Sequence, residues 1–174
     1  MSAAGRRLVL VRHSKAARPK STTDHERALT AGGVADARTL GTQLAAAGLV
    51  PDLALLSTST RTRQTWAELA SVWDASLRER VRVVEDRSLY EAAALDIREV
   101  LRSVAGPETI VLVCGHEPSM SALARDLAGR GSDPDAVDAV ADGMRTSTAA
   151  VLDIDQPWTE IETGALVAVL QPRR

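Results

Sequence analysis

The chain has 174 residues, 45% of them hydrophobic and 25% charged, with a net charge of −2. This is the composition of one ordinary globular domain, 1–174, and it excludes a disordered or fibrous chain. With no Phe, one Tyr, three Trp and a slightly acidic balance, the chain is not built to stack nucleobases or hold a phosphate backbone, so no nucleic acid is expected as partner.

MSAAGRR carries two arginines, but the apolar run after it, Leu8 to Val11, is short and stops at Arg12. It predicts neither a signal peptide nor a membrane span. An uninterrupted run of this kind reads as a strand buried on both faces, which delivers Arg12, His13, Ser14 and Lys15 at its carboxyl end. Residues 16–27 are polar, contain proline and read as a loop. Thr30 is placed to cap a helix with Val34, Ala37, Leu40, Gly41 and Leu44 on one face, and Gly48 to end it.

Leu53 to Leu56 is a second strand, discharging into the polar STSTRTRQT stretch. One helix is predicted next, with Trp66, Leu69, Ala70, Trp73 and Leu77 at helical spacing and both tryptophans in the core. Arg82 to Glu85 predicts a short strand leading to Leu89, Tyr90 and Glu91. Asp96 is placed to cap a helix through Val104. Thr109 to Cys114 is the most hydrophobic strand and ends in Gly115, His116, Glu117 and Pro118, with Pro118 suited to the first turn of the next helix. A short helical piece after Pro134 precedes two last strands, Ser147 to Ile154 and Ala165 to Leu170. Alternating strands and helices predict an α/β domain with a mostly parallel sheet and an antiparallel addition at one edge. The single cysteine cannot form an internal disulfide, so a reducing, cytoplasmic setting is expected.

Three predicted strands end in Arg12-His13, in the loop carrying Arg61 and Arg63, and in His116. In a parallel sheet these ends share one rim, where ligands bind. Two imidazoles among guanidinium groups make a poor metal site, since the cations repel a metal and no carboxylate stands at ligand spacing. They suit a phosphoryl group, because arginine forks match its oxygens and a neutral imidazole can attack phosphorus. The plain alternative is that Arg12 and His13 begin a solvated loop.

Taken together, the RH pair after the first strand, the S-x-x-x-R-x-x-Q-T segment (Ser57, Arg61, Gln64, Thr65) and the G-H after a hydrophobic strand resemble the histidine phosphatase superfamily. Within it, Glu26-Arg27-x-Leu29-Thr30-x-x-Gly33, Leu89-Tyr90-Glu91-Ala92 and Thr146-Ser147-Thr148-Ala149 are similar to the SixA-type phosphohistidine phosphatases. The resemblance runs from about Leu8 to Leu170. It implies a phosphoglycerate-mutase-like three-layer α/β/α sandwich and no cofactor. His13 would be the nucleophile, with Arg12, Arg61 and His116 around the phosphoryl group; the motif spacing favours Arg61 over Arg63.

For attack His13 must be unprotonated while His116 is more useful as a cation, so the pocket is expected to hold the two apart and give a pH–rate bell. Many family members have Gly where this chain has Ser14; Ser14 and Lys15 could each add a phosphate contact. Glu91 is the candidate acid for the leaving group, a solvated residue at a helix start being the other reading. A phosphoramidate needs less protonation help than an alkoxide, and the chain has few residues from which to build a lid. Both point to phosphohistidine on a protein as substrate. A small-molecule phosphomonoesterase or mutase, and a non-catalytic phosphate-binding module, are the alternatives.

Competing motifs are weak. A cysteine-phosphatase loop needs arginine six residues after Cys114, where Met120 stands. Asp153 and Asp155 come too late in the chain for an aspartate nucleophile, and His25 reads as an exposed loop residue. Neither G-x-x-x-x-G-K-[ST] nor G-x-G-x-x-G occurs.

Overall fold

The computed structural model describes residues 5–172, so the first four residues of MSAAGRR lie outside it. The apolar runs form β1 (Arg6–Arg12), β2 (Leu53–Ser57), β3 (Arg82–Asp86), β4 (Ile110–Gly115), β5 (Ala149–Ile154) and β6 (Ala165–Leu170). All six join one sheet in the order β3-β2-β4-β1-β5-β6. β2 pairs parallel with β3 and β4, and β4 with β1, whereas β5 and β6 add antiparallel beyond β1. The mostly parallel sheet with an antiparallel edge is thus the architecture that the alternation of elements predicts.

Burial on both faces follows from the period of two along each central strand. Leu8, Leu10, Leu55 and Val113 point into one core, and Val9, Val11, Leu56 and Cys114 into the other. The second core is closed by α1 (Ala31–Ala46) and α2 (Thr60–Ser71), through Leu40, Leu44 and Leu69. After the short α3 (Ala75–Arg78), helices α4 (Ala94–Val104), α5 (Ser119–Leu127) and α6 (Pro134–Ala141) close the first, through Ile97, Leu101, Leu123 and Val140. Three layers result. No helix among the described residues is long and apolar enough to cross a membrane.

Thr30 caps α1 with its hydroxyl, which accepts from Gly33 N at 3.0 Å. Two other expectations are corrected. The helix predicted to run through Leu77 stops at Ser71 and resumes at Ala75. The break lets Trp73 fold back onto α1, where its indole N–H donates to Gly41 O at 2.9 Å; Trp66, meeting it edge-on, is only half-buried. Asp96 is not the cap of α4, which begins two residues earlier. It stands in the first turn and reaches back to accept from Ala93 N at 2.8 Å.

Candidate active site

The parallel register of β1 and β4 pairs Arg12 with Gly115, so His13 and His116 leave neighbouring strands side by side. Their ring centroids are 5.2 Å apart. Arg61, in the first turn of α2 and only 6% exposed, reaches between them. Its Nε donates to His13 Nε2 at 3.2 Å and its NH2 lies 3.3 Å from His116 Nδ1. Arg63 points the other way, to an exposed ion pair with Glu85. Arg12 donates through NH1 to Met144 O at 2.5 Å, and among the described residues its buried Nε has no partner. Among the described residues no three His, Cys, Asp or Glu side chains gather as a metal site.

The hydrogen bonds assign the tautomers. His13 Nδ1 lies 2.8 Å from Ser14 O, an acceptor only, so Nδ1 carries the proton and Nε2 keeps its lone pair. His116 accepts from Arg61 at Nδ1 and therefore donates from Nε2 to Ser57 Oγ at 2.8 Å. Burial lowers the His13 pKa to about 4, with the charges of Arg61 and Arg12 acting in the same direction. Burial, then His13 and Arg61, lowers His116 to about 3. Both rings are therefore neutral at pH 7. This corrects the expectation that the pocket holds one neutral and the other charged: the same guanidinium faces both imidazoles.

The profile of the histidine phosphatase superfamily (branch 1) matches residues 8–99. The chain belongs to that superfamily. An uncharacterized protein of Mycobacterium tuberculosis (strain ATCC 25618 / H37Rv) is 37% identical over 166 residues, covering 94% of this chain and 100% of the relative. A structure from Nakamurella multipartitia assigned to phosphohistidine phosphatase SixA is 29% identical, with a TM-score of 0.84 over 99% of each chain. A second SixA assignment, from Agrobacterium tumefaciens, is 27% identical with a TM-score of 0.79 over 96% of this chain and 98% of that one. This histidine phosphatase is thus of the SixA type, with the phosphoglycerate-mutase-like fold.

The remaining candidate residues of this histidine phosphatase fall in different places. Glu91 is exposed, without hydrogen bond or ion pair among the described residues, and lines a cavity of about 470 Å³ with Asp24, Arg61, Tyr90, His116 and Glu117. Ser14 is buried, does not line that cavity, and accepts from Ser147 Oγ with its hydroxyl. Lys15 is exposed and lines another groove, with Thr30, Ala31, Gly32 and Asp36, which shares no residue with the cavity of Arg61 and His116. Cys114 is a strand residue whose thiol pKa burial pushes up to about 12.

Sequence reasoning missed the contribution of the loop over residues 16–27. Asp24 accepts from Arg61 NH2 at 3.0 Å, Tyr90 OH at 2.6 Å and Arg27 NH1 at 2.9 Å, while its carbonyl takes Arg61 NH1 at 2.6 Å. The bonds from Tyr90 and Arg27 hold the Asp24 carboxyl well below the usual carboxylate range. His25 is half-buried rather than exposed: its Nε2 lies 2.9 Å from Thr58 Oγ1 and its ring meets Tyr90 edge-on. The one local signal was Gln64 of the Arg-x-x-Gln-Thr segment, whose Oε1 accepts from Leu29 N at 2.8 Å and so anchors the end of this loop.

Proposed function

We propose that this chain is a cytoplasmic phosphatase that hydrolyses phosphohistidine on a protein through a covalent phosphohistidine on His13. The observation that carries the reading is the state of His13: a neutral ring whose Nδ1–H is tied to Ser14 O, with Nε2 unprotonated and facing Arg61. That nitrogen attacks phosphorus in line, and the phosphorus–nitrogen bond to the substrate imidazole breaks. Arg12, Arg61 and His116 surround the transferring group; as its charge arrives, His116 takes a proton from solvent, and the resulting imidazolium hydrogen-bonds a phosphoryl oxygen. Water then attacks phosphorus, the bond to His13 Nε2 breaks with its electron pair returning to the ring, the water gives a proton back to Glu91, and inorganic phosphate leaves. Glu91, at the mouth of the cavity, supplies the proton to the leaving nitrogen, and Lys15 stays outside the phosphoryl contacts.

The arginines supply the charge that metal ions supply in other phosphoryl-transfer sites, so the test is hydrolysis after chelation, with wild type and His13→Ala side by side. The substrates are a phosphohistidine-bearing protein and p-nitrophenyl phosphate. The expected result is metal-independent turnover, faster on the phosphoprotein, that falls to background in His13→Ala. Higher kcat/KM on small phosphomonoesters would transfer the assignment to a small-molecule phosphatase. A protein that binds phosphate and hydrolyses neither substrate would be a binding module.

A further inference from the structure

Ser14 follows the candidate nucleophile, is fully buried, and uses each of its polar atoms inside the protein. Its carbonyl accepts from His13 Nδ1 at 2.8 Å, its amide donates to Thr65 Oγ1 at 2.9 Å, and its hydroxyl accepts from Ser147 Oγ at 2.6 Å. Thr65 Oγ1 in turn donates to Arg61 O at 2.6 Å. One hydroxyl therefore joins the strand end that carries His13 to the helical turn that carries Arg61. Ser147 is held in the left-handed region, φ +58, where a non-glycine residue is disfavoured, and its amide donates to His13 O at 3.3 Å. The alternative, a relaxed backbone at Ser147, would carry its hydroxyl away from Ser14.

We infer that Thr65 and Ser147 are positioning residues that act through Ser14 to fix the tautomer and aim of the His13 ring and its register with Arg61. Thr65 and Ser147 are both fully buried, so a lost hydroxyl leaves its partners without water to replace it. The Ser14 amide would then find a partner only by moving, and the carbonyl that holds His13 Nδ1–H moves with the same residue. Two further bonds brace the next peptide, since Thr30 N and Oγ1 both donate to Lys15 O. Among the described residues the Ser14 amide and hydroxyl have no such second support.

The inference rests on the phosphatase reading only for its kinetic arm. The test compares wild type with Thr65→Val, which keeps the shape and removes the hydroxyl, Thr65→Ser, which restores it, and Ser147→Ala. The tautomer of His13 is read by 15N nuclear magnetic resonance of the imidazoles at pH 7.5, and kcat and KM with p-nitrophenyl phosphate. Wild type and Thr65→Ser should show the proton on Nδ1; Thr65→Val and Ser147→Ala should show a mixture of tautomers. In both, kcat should fall about tenfold to a hundredfold with KM changed less than about threefold, and Thr65→Ser should return kcat to within about threefold of wild type. A folded Thr65→Val with the wild-type tautomer and kcat, changed only in melting temperature, overturns the inference. If Thr65→Val does not fold, Ser147→Ala decides by the same two readings. If wild type does not turn over at all, the phosphatase reading fails and the tautomers alone decide.

Discussion

Arg61 Nε stands 3.2 Å from His13 Nε2 and donates to it. The group that would clamp the phosphoryl oxygens thus rests on the lone pair that would attack phosphorus. The contact keeps that nitrogen unprotonated and must be given up as the phosphoryl group enters between the two. A guanidinium can make the exchange because its other N–H groups hold Asp24 and His116 while Nε is released.

Arg61→Lys should therefore fail although it keeps the charge. An ammonium is a point charge and cannot span Asp24, both imidazoles and two phosphoryl oxygens. Removing one such oriented donor costs about 10²–10³ in kcat, and a loss of that size is expected with p-nitrophenyl phosphate. Arg63→Lys, on an exposed pair with Glu85, should stay within about twofold of wild type. Equal effects at the two positions would sink the assignment of Arg61.

Asp24→Asn separates orientation from charge. The carboxylate draws Arg61 toward Tyr90 and sets one negative charge beside the phosphoryl position. Without that charge, inorganic phosphate should inhibit more strongly, by about two- to fivefold, a modest gain because the Asp24 side chain is 56% exposed and well screened. With Arg61 less firmly aimed, kcat should fall by about tenfold. Weaker phosphate inhibition would show that Asp24 aids binding through Arg61 more than it competes for it.

The buried imidazoles make stability depend on pH. Their pKa values, about 4 for His13 and about 3 for His116, lie below the ordinary 6.5 of an unfolded chain. Between those limits the unfolded state binds protons that the folded state does not, so stability is full above about pH 6.5 and is lost as pH falls toward 4. Lowering the pH from 7.5 to 5 should cost about 2 kcal/mol for each imidazole. Urea unfolding in a buffer free of phosphate should show this fall, and His13→Gln should lose about half of it. An unchanged pH dependence in His13→Gln would mean that the imidazole is not held neutral.

Much of this was legible because it is local or repeats along the chain. The apolar runs mark the strands, and a parallel sheet sends their ends to one rim, so the sequence alone brings His13, Arg61 and His116 together. Thr30 could be placed as a cap from its own hydroxyl and the helical face after it. The partners of those residues were not legible. Asp24 meets Arg61 across 37 residues of sequence, from a loop with no periodicity, and its neighbour His25 therefore read as solvent-exposed. Ser14 read as a phosphate contact because a sequence places a residue at a strand end without saying which way its hydroxyl turns. That direction depends on Ser147, more than a hundred residues later.

The same strand end explains the Thr-x-x-Gly of α1. A Cβ on Gly33 would lie 2.2 Å from Lys15 O, a backbone atom that cannot swing aside, whereas one on Gly32 would find its nearest neighbour, Thr30 Oγ1, at 3.9 Å. Gly33 lets α1 press against the peptide that follows Ser14. Gly33→Ala must push either the helix or that peptide, and a cost of about 2–3 kcal/mol is expected in urea unfolding. Gly32→Ala, in an exposed helical position with room for a methyl group, should instead gain up to about 1 kcal/mol from its lower unfolded-state entropy. Because the displaced peptide adjoins the carbonyl that holds His13 Nδ1–H, Gly33→Ala should also lower kcat at a temperature where it is fully folded, by about tenfold. Loss of stability with kcat untouched would mean that the helix yields and the strand end does not. The aim of His13 would then depend on the hydroxyl contacts to Ser14 alone.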